Sequence, residues 1–195
     1  MNQMQTPNFN QNPSWNQDQK QSNPKQQNSY KVTLDLPYPP VRPETFRREY
    51  AYAMLSNIGS RNSEMSAISL YFYNSIILHP DYASYARCFH EISIVEMHHL
   101  DIFATFAFQM GLDPRLWSIN RQRNCVSYWS PSYNQYPKGI REVVANARKG
   151  EEAAIQKYTR QAEIICDKNI VDNLNRIILD EKHHIEIFDM MLAEI

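Results

Sequence analysis

The fold of this chain is decided by two short stretches of sequence, EMHH at residues 96–99 and EKHH at residues 181–184. Each contains a Glu-x-x-His motif inside a strongly helical segment, and residues three apart on an α-helix lie on one face, about 5–6 Å apart at Cβ. A single glutamate precedes the glutamate of each motif, Glu64 by 32 residues and Glu151 by 30 residues. One glutamate followed by one Glu-x-x-His, repeated twice, is typical of a two-metal site in a four-helix bundle.

The predicted ligands are four glutamates and two histidines: Glu64, Glu96, His99, Glu151, Glu181 and His184. Carboxylate and imidazole ligands together suit iron or manganese and also accept zinc. We therefore expect two metal ions per subunit, either iron or manganese. One Glu-x-x-His by itself is more often an exposed helix face, but two of them at nearly equal distances from a preceding glutamate argue against that interpretation.

The turn signals of the chain agree with this ligand pattern. The midpoint of the first glutamate pair is Pro80, which stops and restarts a helix. The midpoint of the second pair is Cys166, which is followed by the turn-forming residues 167–169. The sequence therefore predicts an all-α four-helix bundle of two antiparallel helical hairpins, joined by a long aromatic crossover at residues 112–136.

The four helices are expected at about residues 44–78, 82–110, 137–166 and 168–193. Gly59 is expected to be a weak point or a bend in the first helix, and Gly111 a stop for the second. The third helix offers two neighbouring glutamates as ligands. Glu151 is chosen over Glu152 because Glu-x-x-Ala-x-x-x-Tyr occurs at residues 64–71 and again at residues 151–158.

Three further residues are expected to support the ligands. Tyr71 and Tyr158 lie two turns from their glutamates, where each either donates a hydrogen bond to a ligand carboxylate of another helix or is a plain core aromatic. Asp180 is expected to accept a hydrogen bond from the free ring nitrogen of His99 across the bundle. No Arg or Lys is expected on the same inward faces, which argues against a buried Glu–Arg network.

The chain divides into three segments by composition. Residues 1–29 are rich in Asn and Gln, which favours a disordered tail, with an adhesive or docking segment as the alternative. Residues 30–43 contain four prolines and are expected to form an extended arm along their own bundle or a partner subunit. Residues 44–195 are expected to form the bundle.

Composition and charge exclude several classes of protein. The formal net charge of −1 does not favour nucleic acid or an anionic membrane as a partner. No apolar run approaches the length of a membrane-spanning helix, and the N-terminus lacks the apolar core of a secretory signal. Three widely separated cysteines indicate reduced thiols and a cytoplasmic protein.

The quoted motifs, together with Asp180-Glu181 and MGLDPR at residues 110–115, resemble the ferritin-like di-metal carboxylate superfamily over about residues 45–194. Within it they are most similar to the rubrerythrin and manganese-catalase branch, which includes small ferritin-like spore-coat proteins. The resemblance implies a ferritin-like bundle and a di-iron or di-manganese centre that reacts with hydrogen peroxide or dioxygen. It also implies that Glu96 and Glu181 bridge the metals, while Glu64 and Glu151 are terminal carboxylates.

The function implied by this resemblance is an oxidoreductase that breaks down hydrogen peroxide and so acts against oxidative stress. The sequence contains neither a C-terminal rubredoxin module nor a Cys-x-x-Cys pair. A rubrerythrin-like peroxidase would therefore need a separate electron donor, whereas a catalase needs none, and this favours dismutation of peroxide.

Two other functions stay open at this point. One is a ferroxidase or iron-handling protein, which would require a closed shell of many subunits. The other is a structural, spore-coat type of protein whose bundle is stabilised by metal. In each case the aromatic connection favours a homo-oligomer, a dimer or larger.

Overall fold

The computed structural model describes residues 29–120 and 125–195, so the predicted tail lies outside the described residues apart from Ser29. The structure is mainly helical, with a small β-ribbon and a 3₁₀ turn at Pro131–Tyr133. In chain order the elements are α1 Arg48–Gly59, α2 Glu64–Leu78, α3 Ala83–Gln109, β1 Trp117–Asn120, β2 Cys125–Tyr128, α4 Ile140–Ile164 and α5 Lys168–Glu194.

Two helical hairpins form the bundle, as the sequence predicts. Helices α2 and α3 pack together, α4 and α5 pack together, and short connections at residues 79–82 and 165–167 make each pair antiparallel. Asp167 caps the N-terminus of α5, where its side chain accepts a hydrogen bond from the backbone N–H of Ile170. The prediction of an all-α ferritin-like bundle with two antiparallel hairpins is confirmed.

The first bundle helix is not continuous, contrary to the single helix expected at about residues 44–78. Helix α1 ends at Gly59 and α2 begins at Glu64, while both pack along α3. The break lies beside a close approach of the crossover, where a Cβ atom on Gly59 would lie 2.3 Å from the backbone nitrogen of Trp117. The expected weak point at Gly59 is therefore a complete break of four residues.

The break is held from the opposite hairpin by Lys157 of α4. Its ammonium nitrogen lies 2.8 Å from the carbonyl oxygen of Ser56 and 2.6 Å from that of Asn62. Both hydrogen bonds are accepted by backbone carbonyl groups at the break, one in the last turn of α1 and one in the segment between α1 and α2. Burial lowers the pKa of Lys157 to about 7, against the opposing effect of the nearby charge of Glu64.

The core consists of two apolar clusters, one towards each end of the bundle. One cluster contains residues of α1, the second half of α3, the end of α4 and the start of α5, among them Met54, Leu55, Phe103, Phe106 and Leu174. The other contains residues of α2, the first half of α3, the start of α4 and the end of α5, among them Leu70, Phe89, Val144, Phe188 and Met191. Between them lies a layer of buried polar side chains.

The crossover between the hairpins contains an antiparallel β-ribbon that the sequence analysis did not predict. In this ribbon β1 and β2 are antiparallel, and Trp117, the first residue of β1, pairs with Tyr128, the last residue of β2. The following residues fix the crossover to α2, since Trp129 Nε1 donates to Ser66 Oγ at 3.0 Å and Asn134 Nδ2 donates to the Ser66 carbonyl at 3.0 Å. Gly111 follows α3 with a φ of 84°, a left-handed conformation that favours glycine.

The extended arm, residues 30–43, packs along α5 of its own bundle. Its carbonyl oxygens accept hydrogen bonds from α5 side chains in reverse order along the chain, so the arm runs antiparallel to the helix. These pairs are Lys31 with His183, Leu36 with Arg176, Pro40 with Asn173, and Arg42 with Asn169.

Within residues 29–120 and 125–195, none of the helices combines the length and apolarity that a membrane crossing requires. All three cysteines lie in this part of the chain and are free thiols; Cys88 is buried, and Cys125 and Cys166 are exposed.

We predict that Gly59→Ala destabilises the protein by about 1–3 kcal/mol, because the added methyl group overpacks the contact with the crossover backbone. Gly150→Ala is the matched control, since its Cβ atom would have only Tyr71 Oη nearby, at 4.0 Å. Within a helix that change should be neutral or stabilising by up to about 1 kcal/mol. Urea unfolding of the metal-free variants measures both effects, and equal stability of the two variants would contradict the close approach.

We predict that the stability of the wild-type protein relative to Lys157→Met increases as the pH rises from about 7 to 9. Over this window the unfolded chain keeps the lysine proton that the folded protein releases, so folding becomes more favourable with rising pH. Chemical denaturation at several pH values measures the difference. The exposed lysine of the same helix serves as control, and Lys149→Met should show no such pH-dependent difference.

Candidate metal centre

The polar layer between the two apolar clusters contains all six residues that the sequence predicts as ligands. Each of these residues is at most 2 % exposed. They come from four helices, with one glutamate from each of α2 and α4 and a Glu-x-x-His motif from each of α3 and α5. The set is Glu64, Glu96, His99, Glu151, Glu181 and His184.

These residues form two overlapping groups, each able to hold one metal ion. The first group is Glu64, Glu96, His99 and Glu181, and the second is Glu96, Glu151, Glu181 and His184. Within each group, one potential ligand atom per residue lies within 4.8 Å of the others. Glu96 and Glu181 belong to both groups, so their carboxylates lie between the two positions.

Each imidazole directs its Nδ1 atom towards the shared carboxylates. His99 Nδ1 lies 2.9 Å from Glu96 Oε2 and 3.4 Å from Glu181 Oε1. His184 Nδ1 lies 3.1 Å from Glu96 Oε1 and 3.2 Å from Glu181 Oε2. The i, i+3 spacing within each helix therefore places both histidines at the centre, one beside each potential metal position.

The donor set fits a pair of metal ions. Glu96 Oε1 and Glu181 Oε1 are buried and accept no hydrogen bond of good geometry from the described residues, although an imidazole Nδ1 lies 3.1 Å and 3.4 Å from them, respectively. Buried carboxylate oxygens in this arrangement are costly without a cation. Among the described residues, Glu96, Glu151 and Glu181 form close ion pairs only with imidazole nitrogens. Two divalent ions would balance the four negative charges of the ionised carboxylates.

Two tyrosines connect the hairpins at the outer glutamates. The hydroxyl group of Tyr71 in α2 donates to Glu151 in α4, and that of Tyr158 in α4 donates to Glu64 in α2. Their rings are also part of the core. Tyr71 packs on Phe188 in the apolar cluster at one end of the bundle, and Tyr158 lies in the cluster at the other end. Both interpretations left open by the sequence therefore apply: each residue is a hydrogen-bond donor and a core aromatic.

The outer nitrogen of His99 has its own set of partners. Asp180 Oδ2 lies 3.2 Å from His99 Nε2, the contact that the sequence suggests for this carboxylate. The same oxygen lies 2.6 Å from Arg176 Nη1 and accepts a hydrogen bond of 2.6 Å from the hydroxyl group of Tyr38. These three contacts hold the pKa of Asp180 at about 2, although burial opposes the shift.

Sequence reasoning missed Tyr38 and Arg176. The expectation that no Arg or Lys lies on the inward faces is wrong, because Arg176 is 6 % exposed and pairs with Asp180 four residues later. That i, i+4 spacing was a signal available in the sequence. Tyr38 carried no comparable signal, since its partners lie more than 60 residues away in the chain.

The two halves of the centre differ at the outer nitrogens of their histidines. His184 Nε2 is buried and has no hydrogen-bond partner among the described residues. The residue that precedes Glu96 in α3 is Val95, whereas the residue that precedes Glu181 in α5 is Asp180. The two halves therefore differ in sequence at the position directly before each Glu-x-x-His motif.

His98, His183 and Glu152, which are adjacent in sequence to candidate ligands, belong to neither ligand group. His98 contacts the edge of the Tyr38 ring with centroids 4.5 Å apart, and His183 Nε2 lies 2.6 Å from the carbonyl oxygen of Lys31. Both histidines therefore contact the arm. Glu152 is exposed and pairs with Arg148 on the surface.

Protons are distributed unevenly in the metal-free centre. Burial, with the charges of Glu96 and Glu181, raises the pKa of Glu64 well above its usual range and that of Glu151 to about 8. Burial would lower the pKa of His99, but the carboxylates around it raise it well above its usual range, as they do for His184. Without metal, the centre therefore holds several protons near neutral pH.

A cleft between α2 and α4 borders the outer glutamates of the centre. It has a volume of about 300 Å³, and Glu64, Glu151 and both tyrosine side chains are part of its lining. Ala67 and Ala154, the small residues of the repeated motif, also line it. The rim is polar and includes Arg61, Asn62, Asn134, Gln135 and Lys149. The outer glutamates are therefore the members of the centre nearest to this cleft, although each residue is only 2 % exposed.

Comparison with known proteins identifies relatives of this bundle. A family model described as Rubrerythrin matches residues 60–192. No protein in a search of curated sequences matches the chain significantly.

Solved structures share its fold. The manganese catalase KatB from Anabaena superposes with a TM-score of 0.69 and 18% identity, covering 83% of this chain and 79% of that one. A ferritin-like diiron-carboxylate protein from Bacillus anthracis gives a TM-score of 0.59 and 20% identity, covering 74% and 96%. Bacterioferritin from Rhodobacter capsulatus gives a TM-score of 0.59 and 21% identity, covering 74% and 82%.

We predict that metal binding to the metal-free protein releases protons at pH 7, and that metal affinity increases as the pH rises from about 6 towards 8. Glu64 and Glu151 have raised pKa values and hold protons there, whereas coordination requires carboxylates. Isothermal titration calorimetry in two buffers with different ionisation enthalpies counts the protons. Glu151→Gln should release fewer protons than the wild type, and an equal number would contradict the assignment of the raised pKa.

Proposed function

This chain belongs to the rubrerythrin family, and on that basis we propose that it is a di-metal oxidoreductase that breaks down hydrogen peroxide. The proposed ligands are the six residues of the two overlapping groups, which would hold two iron or two manganese ions. Glu96 and Glu181 are proposed as bridging ligands because both belong to both groups. That sharing of two carboxylates is the observation that carries the proposal.

The chemistry of the bound ions would be a two-electron exchange with the O–O bond of peroxide. We propose that peroxide would enter by the cleft between α2 and α4, which borders the outer glutamates, while the two apolar clusters cover the centre towards the ends of the bundle. Tyr71 and Tyr158 hold the carboxylates of Glu151 and Glu64 in place through their hydroxyl groups.

Dismutation is favoured over a peroxidase reaction. Two molecules of hydrogen peroxide yield one of dioxygen and two of water without an external reductant. A peroxidase would need electrons from a separate donor, and the sequence contains no Cys-x-x-Cys pair that could hold a rubredoxin-type iron. The similarity to a manganese catalase motivates the same choice.

A ferroxidase is the second candidate, motivated by the similarity to bacterioferritin and by the carboxylate-rich donor set, which also suits Fe²⁺. The two functions differ in their products. A catalase evolves dioxygen from peroxide, whereas a ferroxidase consumes an oxidant in proportion to the Fe²⁺ supplied.

We predict that Glu96→Gln and Glu181→Gln each reduce bound metal well below two ions per chain and lower peroxide consumption by on the order of 100-fold, because each removes a ligand from both positions. Elemental mass spectrometry of protein grown with iron and manganese, together with an oxygen electrode, measures both. Glu152→Gln, an exposed neighbour of Glu151, is the control and should keep metal and activity. Full activity of either ligand variant would contradict the proposal.

A further inference from the structure

We propose that Tyr38 of the arm is a positioning residue for His99, so that the arm controls one of the two metal positions and not the other. The inference rests on the proposed function in so far as it requires that His99 binds a metal ion. It concerns the occupancy of one position, however, and can be tested without peroxide.

The first observation is the place of the Tyr38 hydroxyl group. It donates to Asp180 Oδ2 at 2.6 Å and lies 3.3 Å from His99 Nε2. The other ring nitrogen of His99 faces the shared carboxylates, so Nε2 is the outer nitrogen. A histidine that binds metal through one nitrogen donates the N–H of the other to an acceptor that orients its ring. Here the acceptor is Asp180 Oδ2, and the hydrogen bond from the Tyr38 hydroxyl group holds that same oxygen in place.

The second observation is that Tyr38 itself is held on several sides. The guanidinium carbon of Arg176 lies 4.3 Å from the centroid of its ring, and His98 contacts the ring at 4.5 Å between centroids. Arg176 also lies 2.6 Å from Asp180 and donates to the carbonyl oxygen of Leu36 at 3.0 Å. One buried guanidinium therefore joins the arm backbone, the Tyr38 ring and the carboxylate that orients His99.

The third observation is that this arrangement exists on one side only. Val95 stands where an equivalent of Asp180 would be needed for His184, and His184 Nε2 has no hydrogen-bond partner within residues 29–120 and 125–195. Loss of the Tyr38 hydroxyl group should therefore affect the His99 position alone. A residue with a purely structural role would affect both positions equally or neither.

The test compares Tyr38→Phe with Tyr30→Phe. Phenylalanine keeps the ring that packs on Arg176 and His98 and removes only the hydroxyl group. Tyr30 lies in the same arm, and its hydroxyl group donates to Glu194 Oε2 at 2.9 Å, away from the centre. Tyr30→Phe therefore removes a hydroxyl group of the arm that does not contact His99.

Metal-free proteins are titrated with Mn²⁺, and the two binding steps are followed by calorimetry and electron paramagnetic resonance. Glu64→Gln and Glu151→Gln mark which step belongs to the His99 position and which to the His184 position, because each glutamate belongs to one group. For Tyr38→Phe we expect an affinity loss of about 10-fold or more in the step that Glu64→Gln weakens. The other step should be unchanged, and Tyr30→Phe should change neither.

Several outcomes would overturn the inference. Unchanged affinity of both steps, an equal loss in both, or the same loss in Tyr30→Phe would each assign the Tyr38 hydroxyl group no specific role. A wild-type protein that binds no metal would overturn this inference and the proposed function together. A wild-type protein that binds two ions but leaves peroxide intact would overturn the proposed function alone, and the affinity pattern of Tyr38→Phe would still decide the role of Tyr38.

Discussion

Four carboxylates packed together in the middle of a helical bundle are the constraint on which the rest of the structure depends. Ionised carboxylates in a buried site repel one another and lack water, so their presence has to be compensated by cations, protons or hydrogen-bond donors. The chain provides two imidazoles and two tyrosine hydroxyl groups for this purpose. The remaining charge is what two divalent ions would neutralise, and the apolar clusters at each end keep the layer rigid around them.

The same constraint explains how the two hairpins recognise each other. Each hairpin contributes a tyrosine that donates to a glutamate of the other, and each contributes a carboxylate shared by both ligand groups. Contacts of this kind are directional, whereas the apolar clusters would tolerate small shifts of one hairpin against the other. The polar layer therefore sets the register of the bundle, while the clusters supply most of its stability.

The helices and the six candidate ligands were predictable because their signals are local. Residues three or four apart on a helix share a face, and the nearly equal spacings of Glu64 to Glu96 and of Glu151 to Glu181 predict two hairpins of similar length. The break after Gly59 was not predictable in full, because the backbone that packs against Gly59, at Trp117, lies far away in the sequence. Tyr38 was missed for the same reason, and the β-ribbon because a four-residue strand among aromatic residues has no clear alternation.

The break between α1 and α2 gives the six candidate ligands unequal mechanical support. Five of them lie inside helices, where backbone hydrogen bonds on both sides fix the chain, but Glu64 is the first residue of α2. Its backbone N–H has no intrahelical acceptor, and its carboxylate is held across the bundle by Tyr158. The backbone of Glu64 is therefore restrained by helical hydrogen bonds on one side only, and this is the candidate ligand of α2 that borders the cleft.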